Sequence, residues 1–210
     1  MIKQDKFWNS HYKKKTTPQI SSQFAKFVYK NFLKKDINSS LFDVGCGNGR
    51  DTFFFLKKKI NCIGIDKSSV AINKNKTKTK NYNKNFIQSD FSCITFDKYA
   101  KKNYSVYSRF TLHTLNQKEE NRFLKKIFTS RKIKYFFIET RTINDDLYGV
   151  GKKIGIHQFC TDHYRRFVDP EIIKKKLGKK FEVIFFKESK NYAKFKKENP
   201  KVLRIVCKKK

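Results

Sequence analysis

Apolar and polar positions along this 210-residue chain follow two alternating periods, and this alternation predicts a mixed α/β fold. Short runs of β-branched and aromatic residues predict strands, and lysine-rich stretches between them carry apolar residues at helical spacing. The predicted strands are residues 41–45, 61–66, 85–90, 104–110, 134–140, 182–186 and 202–207. The predicted helices are residues 21–33, 51–58, 69–80, 116–130 and 170–177. Strands that alternate with helices favour a parallel, doubly wound sheet in a three-layer sandwich.

The length predicts one domain, because a chain of this size has room for a single substantial core. Residues 141–168 interrupt the strand–helix rhythm and are rich in Gly, Asp, His, Tyr and Arg. In doubly wound sheets, ligands bind beyond the carboxyl ends of the strands. We therefore look for chemistry directly after each predicted strand and in this long segment.

The formal net charge of +32, from 50 Lys and Arg against 18 Asp and Glu, raises the hypothesis of a nucleic-acid partner. The basic runs are spread over the chain, however, at residues 13–15, 57–59, 74–84, 174–176, 194–197 and 208–210. Lysine supplies nearly all of the charge, alongside abundant Asn, Ile, Phe and Tyr. This pattern favours a basic surface of compositional origin over a selected binding face.

The five cysteines form no CxxC pair and no metal-ligand spacing, which predicts reduced thiols, a cytoplasmic protein and no metal site. The amino-terminal residues lack the apolar core of a signal peptide. No apolar run approaches the roughly 20 residues that span a bilayer, so we expect no membrane insertion.

The first predicted strand leads into a glycine turn, 41-LFDVGCGNGRD-51, that lets backbone approach a ligand closely. A dinucleotide fingerprint would need a glycine at position 50, which is Arg50. Asp66 ends the next strand, where an acid accepts hydrogen bonds from ribose hydroxyls, and Asp90 ends the third. Each acid alone is also compatible with a helix N-cap, and the turn with a simple strand-to-helix connection. Together they indicate a nucleoside-shaped pocket.

The segments DVGCGNG, GIDKS and QSDF resemble those of class I S-adenosylmethionine-dependent methyltransferases, from about Phe7 to the end of the chain. The resemblance implies a Rossmann-like seven-stranded α/β fold whose last strand is inserted antiparallel beside the fifth. It also implies S-adenosylmethionine as cofactor, with Asp66 on the ribose, Asp90 on the adenine and Phe91 against the adenine face. The full set of implied cofactor contacts is Trp8, Tyr12, Asp43, Gly45, Cys46, Gly47, Asn48, Gly49, Asp66, Lys67, Asp90, Phe91 and Ser108.

The N-terminal segment, with Trp8 and Tyr12, resembles the cover helices of small-molecule methyltransferases of the thiopurine and tellurite type. The arrangement YSRF…H and LYG…HYRRF resembles members from polysaccharide pathways. The resemblance implies that residues 1–38 cover the cofactor and that residues 141–168 form a substrate lid. A plain core anchor is the alternative for Trp8.

The segment 107-YSRFTLHTL-115 has Ser108-Arg109-Phe110 where amino-directed nucleic-acid methyltransferases often carry an Asn/Asp-Pro-Pro-aromatic motif. This lowers the expectation of adenine methylation. Arg109 is a candidate contact for an anionic group, and His113 is a candidate proton acceptor. A core-facing histidine is the alternative for His113.

Three arginines stand out in residues 141–168, because lysine is the usual cation of this chain. A planar bidentate donor suits phosphate or carboxylate recognition. We therefore expect an acceptor-binding lid with His163 as candidate base and Arg141, Tyr148, Tyr164, Arg165 and Arg166 as substrate contacts. A structural arginine network that ties the segment to the sheet is the alternative.

These observations predict a methyltransferase that transfers the methyl group of S-adenosylmethionine to O or N of a small or glycan-linked acceptor, with an anionic group. An RNA or DNA methyltransferase and a non-catalytic S-adenosylmethionine-binding scaffold are the alternatives. The charge supports the first of these, and the glycine turn with two acids does not exclude the second.

Overall fold

The computed structural model describes residues 4–14, 17–36, 39–100, 102–195 and 198–210. The helices are α1 (Gln4–Lys14), α2 (Gln23–Val28), α3 (Arg50–Lys57), α4 (Ser69–Lys78), α5 (Gln117–Thr129) and α6 (Pro170–Gly178). The strands are β1 (Ser40–Val44), β2 (Asn61–Asp66), β3 (Phe86–Gln88), β4 (Tyr104–Arg109), β5 (Ile133–Arg141), β6 (Lys152–Gly155), β7 (Gln158–Cys160), β8 (Tyr164–Arg166), β9 (Phe181–Ser189) and β10 (Val202–Lys209).

Seven strands form the main sheet in the order β3-β2-β1-β4-β5-β10-β9. The β3, β2, β1, β4 and β5 neighbours pair in parallel, whereas β10 pairs antiparallel with both β5 and β9. The last strand therefore lies between the fifth strand and β9. This confirms the predicted Rossmann-like α/β class I methyltransferase fold, including the antiparallel insertion beside the fifth strand.

The two faces of the sheet bury separate cores because side chains alternate along each strand. Leu41 and Tyr107 pack with α2 and α3 on one face, whereas Phe42 and Val106 pack with α5 on the other. All five positions of β1 are buried. Strands that are covered on both faces consist of nearly continuous apolar residues, and 41-LFDV-44 fits this pattern except at Asp43.

Polar caps fix where the helices begin, and three of them lie where the sequence signals helix starts. The Ser68 hydroxyl accepts from the Ala71 N–H at the start of α4, and the Asp169 carboxylate accepts from the N–H groups of Glu171 and Ile172 in the first turn of α6. Asn116 and Glu119 form a reciprocal capping box on α5. The predicted helix 21–33 begins with α2 and continues as a π-helical turn, Tyr29–Leu33.

A second, three-stranded sheet in the order β6-β7-β8 occupies much of the predicted lid segment, and we refer to it as the small sheet. Strand prediction missed it because its strands are three or four residues long and carry little apolar alternation. Of the predicted N-terminal cover, residues 1–3, 15–16 and 37–38 lie outside the described residues. None of the helices in the described ranges has the length and apolarity needed to cross a bilayer.

Candidate functional site

The glycine turn after β1 adopts backbone conformations that side chains resist. Gly45 and Gly47 have φ values of 68° and 53°. A Cβ on Gly45 would lie 2.7 Å from Thr111 Cγ2, and one on Gly47 would lie 2.3 Å from the Tyr12 hydroxyl. Two separate features therefore favour glycine at both positions: the left-handed backbone conformation and the close approach of another side chain.

Asp66, at the end of β2, fastens this turn to the start of α4. Its two carboxylate oxygens accept from the backbone N–H groups of Gly47 and Ser68, each at 2.8 Å. Burial raises the pKa of Asp66 above its usual value, and the two N–H donors oppose that rise. The carboxylate also lines a cavity at the carboxyl ends of the parallel strands, where its remaining lone pairs can accept hydrogen bonds from hydroxyl groups.

Asp90, two residues after the end of β3, belongs to an ion cluster with Lys67 and Glu119. Lys67 Nζ lies 3.1 Å from Asp90 Oδ2 and 3.4 Å from Glu119 Oε1. Burial raises the pKa of Asp90, but hydrogen bonds from Ser92 and the charge of Lys67 outweigh it and bring the pKa below its usual value. Asp90 is therefore an ionised acceptor beside Lys67.

A cavity of about 750 Å³ opens at the carboxyl ends of the parallel strands. Its volume lies within the roughly 300–1,000 Å³ that ligand pockets occupy. The strand ends and α1 form one wall, and the small sheet forms the opposite wall. The lining residues are Trp8, Tyr12, Gly45, Asp66, Lys67, Phe91, Phe110, Thr111, Thr114, Leu115, Asn116, Glu119, Lys152, Ile154, Gln158, Cys160 and Tyr164.

Strand alternation explains which small-sheet residues reach the cavity. Lys152 pairs with Cys160, and Cys160 pairs with Tyr164, so these three lie on the same face. All three line the cavity. The paired residues Phe159 and Arg165 lie on the other face, where Phe159 packs against Tyr148 and Phe167.

Helix α1 lies over the glycine turn and contributes side chains to the cavity wall. Trp8 and Tyr12 stack with ring centroids 6.2 Å apart, and both line the cavity. Lys74 Nζ on α4 donates to the Tyr12 carbonyl at 2.6 Å, and the Ser68 hydroxyl donates to the Asn9 side chain at 2.7 Å. Burial and the nearby Asp66 carboxylate raise the pKa of the Tyr12 phenol well above its usual value, so the hydroxyl stays protonated.

The predicted cofactor contacts divide into a lining group and a supporting group. Six line the cavity: Trp8, Tyr12, Gly45, Asp66, Lys67 and Phe91. Gly47, Cys46 and Gly49 build the turn behind it. Asn48 donates to Thr17 Oγ1 at 2.9 Å and to the Pro18 carbonyl at 2.6 Å, so it ties the turn to the segment before α2.

Asp43 and Ser108 lie behind the turn in the sheet. The Asp43 carboxylate accepts from the Thr52 hydroxyl at 2.6 Å, which joins β1 to α3. Burial, with the Asp51 carboxylate nearby, raises the pKa of Asp43 to about 8. Ser108 is fully buried, and its hydroxyl has no hydrogen-bond partner in the described part of the chain.

Arg109, predicted as a catalytic anion contact, points into a buried ion cluster instead of lining the cavity. Its Nε lies 2.9 Å from Glu139 Oε1, and Arg204 Nε lies 2.7 Å from Glu139 Oε2. The Arg109 guanidinium also lies over the Phe110 ring, 4.6 Å from its centroid. In this arrangement the arginine fixes the end of β4 and the Phe110 ring.

His113 and His163, the predicted proton acceptors, are packed beside the cavity. Burial, followed by the charge of Arg141, lowers the pKa of His113 well below its usual value, and its Nδ1 has no partner among the described residues. His163 Nδ1 lies 2.7 Å from Asp162 Oδ1, and its ring stacks on Phe7. Burial, followed by the charge of Arg165, lowers the pKa of His163 as well.

The three lid arginines are paired with carboxylates, which matches the structural alternative. Arg141 Nη1 lies 2.7 Å from Asp145 Oδ1. Arg166 binds the buried Glu120 carboxylate and donates from Nε to the Leu115 carbonyl at 3.0 Å, which ties β8 to α5. The other lid side chains are held by neighbours: Arg165 by Thr161 and Asp162, Tyr148 by His157, and Tyr164 by Gln158.

Ten of the seventeen cavity-lining residues were not among the site residues predicted from the sequence. The rule that ligands lie after strand ends pointed to residues 110–119, but it did not single out Phe110, Thr111, Leu115 or Glu119. Phe110 has a φ of 53°, an unusual backbone conformation for a bulky residue. The small-sheet residues Lys152, Ile154, Gln158 and Cys160 carried no signal, because their position depends on hairpin register.

Comparisons with known proteins agree with this geometry. Residues 41–132 match a protein-family profile described as a methyltransferase domain. No curated protein matches the chain. A protein from Pyrococcus horikoshii is 15% identical with a TM-score of 0.67, and the alignment covers 96% of this chain and 99% of that one.

Two further structures have the same fold. A SAM-dependent methyltransferase from Methanosarcina mazei is 18% identical with a TM-score of 0.68, over 87% of this chain and 96% of that chain. The glycopeptide N-methyltransferase MtfA, in complex with S-adenosylhomocysteine, is 11% identical with a TM-score of 0.63, over 96% of each chain. Residues 41–132 thus match a methyltransferase domain, and the chain shares its fold with S-adenosylmethionine-dependent methyltransferases.

Proposed function

We propose that this enzyme methylates an oxygen or nitrogen of a small or glycan-linked acceptor that carries an anionic group and is held beneath the small sheet. The observation that carries the proposal is a single cavity with two walls. Strand-end residues such as Asp66 form the first wall, and small-sheet residues such as Lys152 form the second. A two-substrate transfer needs both reactants side by side in one enclosed space.

The donor would occupy the first wall. In this proposal Asp66 accepts hydrogen bonds from the ribose hydroxyls, Asp90 faces the adenine amine, and Phe91 packs on the adenine ring. The turn at Gly45 approaches the methionine part, and Tyr12 covers it. When bound, S-adenosylmethionine supplies a methyl group made electrophilic by its positively charged sulfur. Burial of Asp66 and Tyr12 supports this placement, since both keep polar atoms at the cavity wall.

The acceptor's anionic group would contact Lys152. Of the two lysines that line the cavity, Lys67 is already paired with Asp90 and Glu119, whereas Lys152 makes no ion pair within the described ranges. The predicted anion contacts Arg109, Arg165 and Arg166 are each paired with a carboxylate of this chain. Lys152 is therefore the cation best placed for the acceptor.

The chain's contribution to the transfer is alignment and exclusion of water. As the acceptor atom bonded to the methyl carbon, the bond from that carbon to sulfur would break to leave S-adenosylhomocysteine, and the acceptor's proton would pass to solvent. We propose that residues 1–38 act as the cover and residues 141–168 as the lid. The contacts of α1 with the glycine turn and of His163 with Phe7 support this division. His163 and His113 then act through packing.

We also propose a place among small-molecule methyltransferases of the thiopurine and tellurite type or of polysaccharide pathways, in the cytoplasm. A helix before the sheet that lies over the cofactor side of the cavity supports that assignment, since α1 contributes Trp8 and Tyr12 to the wall. The charges that line the cavity also support a small acceptor over RNA or DNA, because the lining carries as many acids as lysines.

Calorimetry tests the donor site. Asp66→Asn is expected to weaken binding of S-adenosylmethionine and S-adenosylhomocysteine by about tenfold or more, because a charged hydrogen-bond acceptor is lost. The matched control is Asp146→Asn, whose carboxylate is exposed on the lid and paired with Lys190. Equal affinities for the two variants would contradict the assignment.

Labelled methyl transfer into a fractionated extract of the source organism, followed by mass spectrometry of the product, identifies the acceptor. With that acceptor, Lys152→Gln is expected to raise KM, whereas Lys153→Gln, next to it on β6 and outside the cavity wall, is not. An uncharged product, or label in RNA, would overturn the acceptor assignment.

A further inference from the structure

We infer that the tip of the small sheet docks on an anionic lipid bilayer and that the acceptor enters the cavity from that surface. The docking segment is residues 148–157, which comprise β6 and the turns on either side of it. The docking itself is independent of the chemistry. The statement about the acceptor's entry rests on the proposed function.

The first observation is a concentration of exposed aliphatic side chains in this segment. Val150 is 48% exposed, Ile154 is 49% exposed and Ile156 is 78% exposed. Elsewhere in the described chain, exposed isoleucines occur singly, as at Ile20, Ile172 and Ile184. Single exposed aliphatics are ordinary, whereas several close together mark a contact surface.

The second observation is continuity between this surface and the cavity. Ile154 is both half exposed and part of the cavity wall, and its strand neighbour Lys152 lines the wall too. Ile156 lies directly after β6, in the turn that joins β6 to β7. An amphipathic acceptor that leaves a bilayer at this tip therefore reaches the methyl donor without crossing open solvent.

The third observation is the charge around the aliphatic side chains. Lys152 and Lys153 are exposed and make no ion pairs within the described residues. Lysine stems lie along apolar surface while their ammonium groups reach phosphate-rich headgroups. These two lysines disfavour a second copy of this segment as the occupant, because like charges would meet, and they favour an anionic surface. Aliphatics between lysines are typical of segments that lie in a membrane interface.

Co-sedimentation of the full chain with lipid vesicles tests the docking. The probes are vesicles of phosphatidylcholine with phosphatidylglycerol and vesicles of phosphatidylcholine alone. We expect binding to the first and much less to the second, with a fraction that persists at high salt. Ile156→Asp is expected to weaken the salt-resistant binding by about tenfold or more, because it removes an aliphatic side chain from the interface.

Ile172→Asp is the matched control, since it makes the same change at an exposed isoleucine on α6 and is expected to bind as the unchanged protein does. Lys153→Gln is expected to lower binding at low salt only. The inference is overturned if Ile156→Asp and Ile172→Asp bind equally, if all binding disappears at high salt, or if neutral vesicles bind as well.

Two measurements separate this inference from the proposed function. Ile156→Asp is expected to bind S-adenosylhomocysteine as the unchanged protein does, which also shows that it is folded, because Ile156 is outside the cavity wall. Asp66→Asn is expected to lose donor binding and keep vesicle binding. A methylated product that is fully water-soluble and carries no apolar chain would overturn the entry route while leaving the methyl transfer in place.

Discussion

The Phe7 ring stacks on the His163 imidazole, with centroids 4.5 Å apart and an interplanar angle of 23°. Phe7 belongs to α1 and His163 to the segment between β7 and β8, so this stack joins the two elements on either side of the cavity. Trp8 meets the same imidazole edge-on at 5.5 Å. The helix and the small sheet are therefore coupled through Phe7 and His163, neither of which lines the cavity, and through Trp8, which does.

This coupling predicts that His163→Ala weakens donor binding about two- to tenfold, which corresponds to the loss of one aromatic pair. His163→Phe is expected to restore it, because a phenyl ring keeps the stack on Phe7. Calorimetry and turnover of both variants provide the measurement. If His163 instead removes the acceptor's proton, His163→Phe will bind the donor normally and lose turnover as His163→Ala does.

Gly47→Ala is expected to lower the free energy of unfolding by about 1–3 kcal/mol and to weaken donor binding. The cause is twofold, since a left-handed conformation costs about 1–2 kcal/mol for an L-residue and the new Cβ meets the Tyr12 hydroxyl at 2.3 Å. Gly149→Ala is the control for conformation alone, because Gly149 has a φ of 86° and no atom near the Cβ position.

Adding Tyr12→Phe to Gly47→Ala is expected to recover part of the lost stability, because the colliding hydroxyl is removed while the backbone strain remains. Chemical denaturation of the two single variants and the double variant measures this. Purely additive losses would show that the turn and α1 do not meet as described.

The pairing of Arg166 with Glu120 predicts a large stability loss in Arg166→Ala, about 3 kcal/mol or more, because a buried carboxylate loses its main partner. Arg165→Ala is expected to cost below about 1 kcal/mol, since the Asp162 carboxylate that it contacts is half exposed. Urea denaturation of both variants decides between a structural and a substrate-binding arginine. Equal stability, with loss of acceptor affinity in Arg166→Ala, would contradict the structural role.

Asp43 predicts a pH dependence of stability. Its pKa is about 8 in the folded chain, against about 3.9 in an unfolded one. Between these two values the folded state holds a proton that the unfolded state has released, so stability falls as the pH rises, by up to about 1.4 kcal/mol per pH unit. Burial is the main cause.

Asp43→Asn keeps an acceptor for the Thr52 hydroxyl and removes the titration. Its stability profile between about pH 5 and pH 8 is expected to be flatter than that of the unchanged protein. Asp146→Asn, at an exposed carboxylate, is expected to leave the profile unchanged. Parallel profiles for all three proteins would show that Asp43 is ionised throughout.

Much of the main sheet was predictable because its strands are short apolar runs bounded by turn and cap residues. Residues 61–66 match β2, and Ser68, Asn116 and Asp169 cap helices as their positions indicate. Errors at strand ends have local causes. The third strand ends at Gln88 because Asp90 already forms a turn, in which it accepts from the Ser92 N–H.

The partners of charged residues were not predictable, because a carboxylate far along the chain decides whether an arginine is free. Arg109 and Arg204 share Glu139, and Arg166 and Lys176 share Glu120. The scarcity of arginine in this chain indicated a special requirement for these side chains. It could not distinguish an acceptor's anion from a buried carboxylate of the protein itself.

By itself, the sequence determined the alternation of strands and helices, the glycine turn and the acids at or just after the ends of two strands, because each depends on local conformation and hydrophobic period. Tertiary structure alone decided the second wall of the cavity. Lys152, Cys160 and Tyr164 share a face through hairpin register, and α1 reaches Gly47 through packing against α4. Register and packing join residues distant in sequence, so the strand-end wall of the cavity could be predicted from the sequence and the small-sheet wall could not.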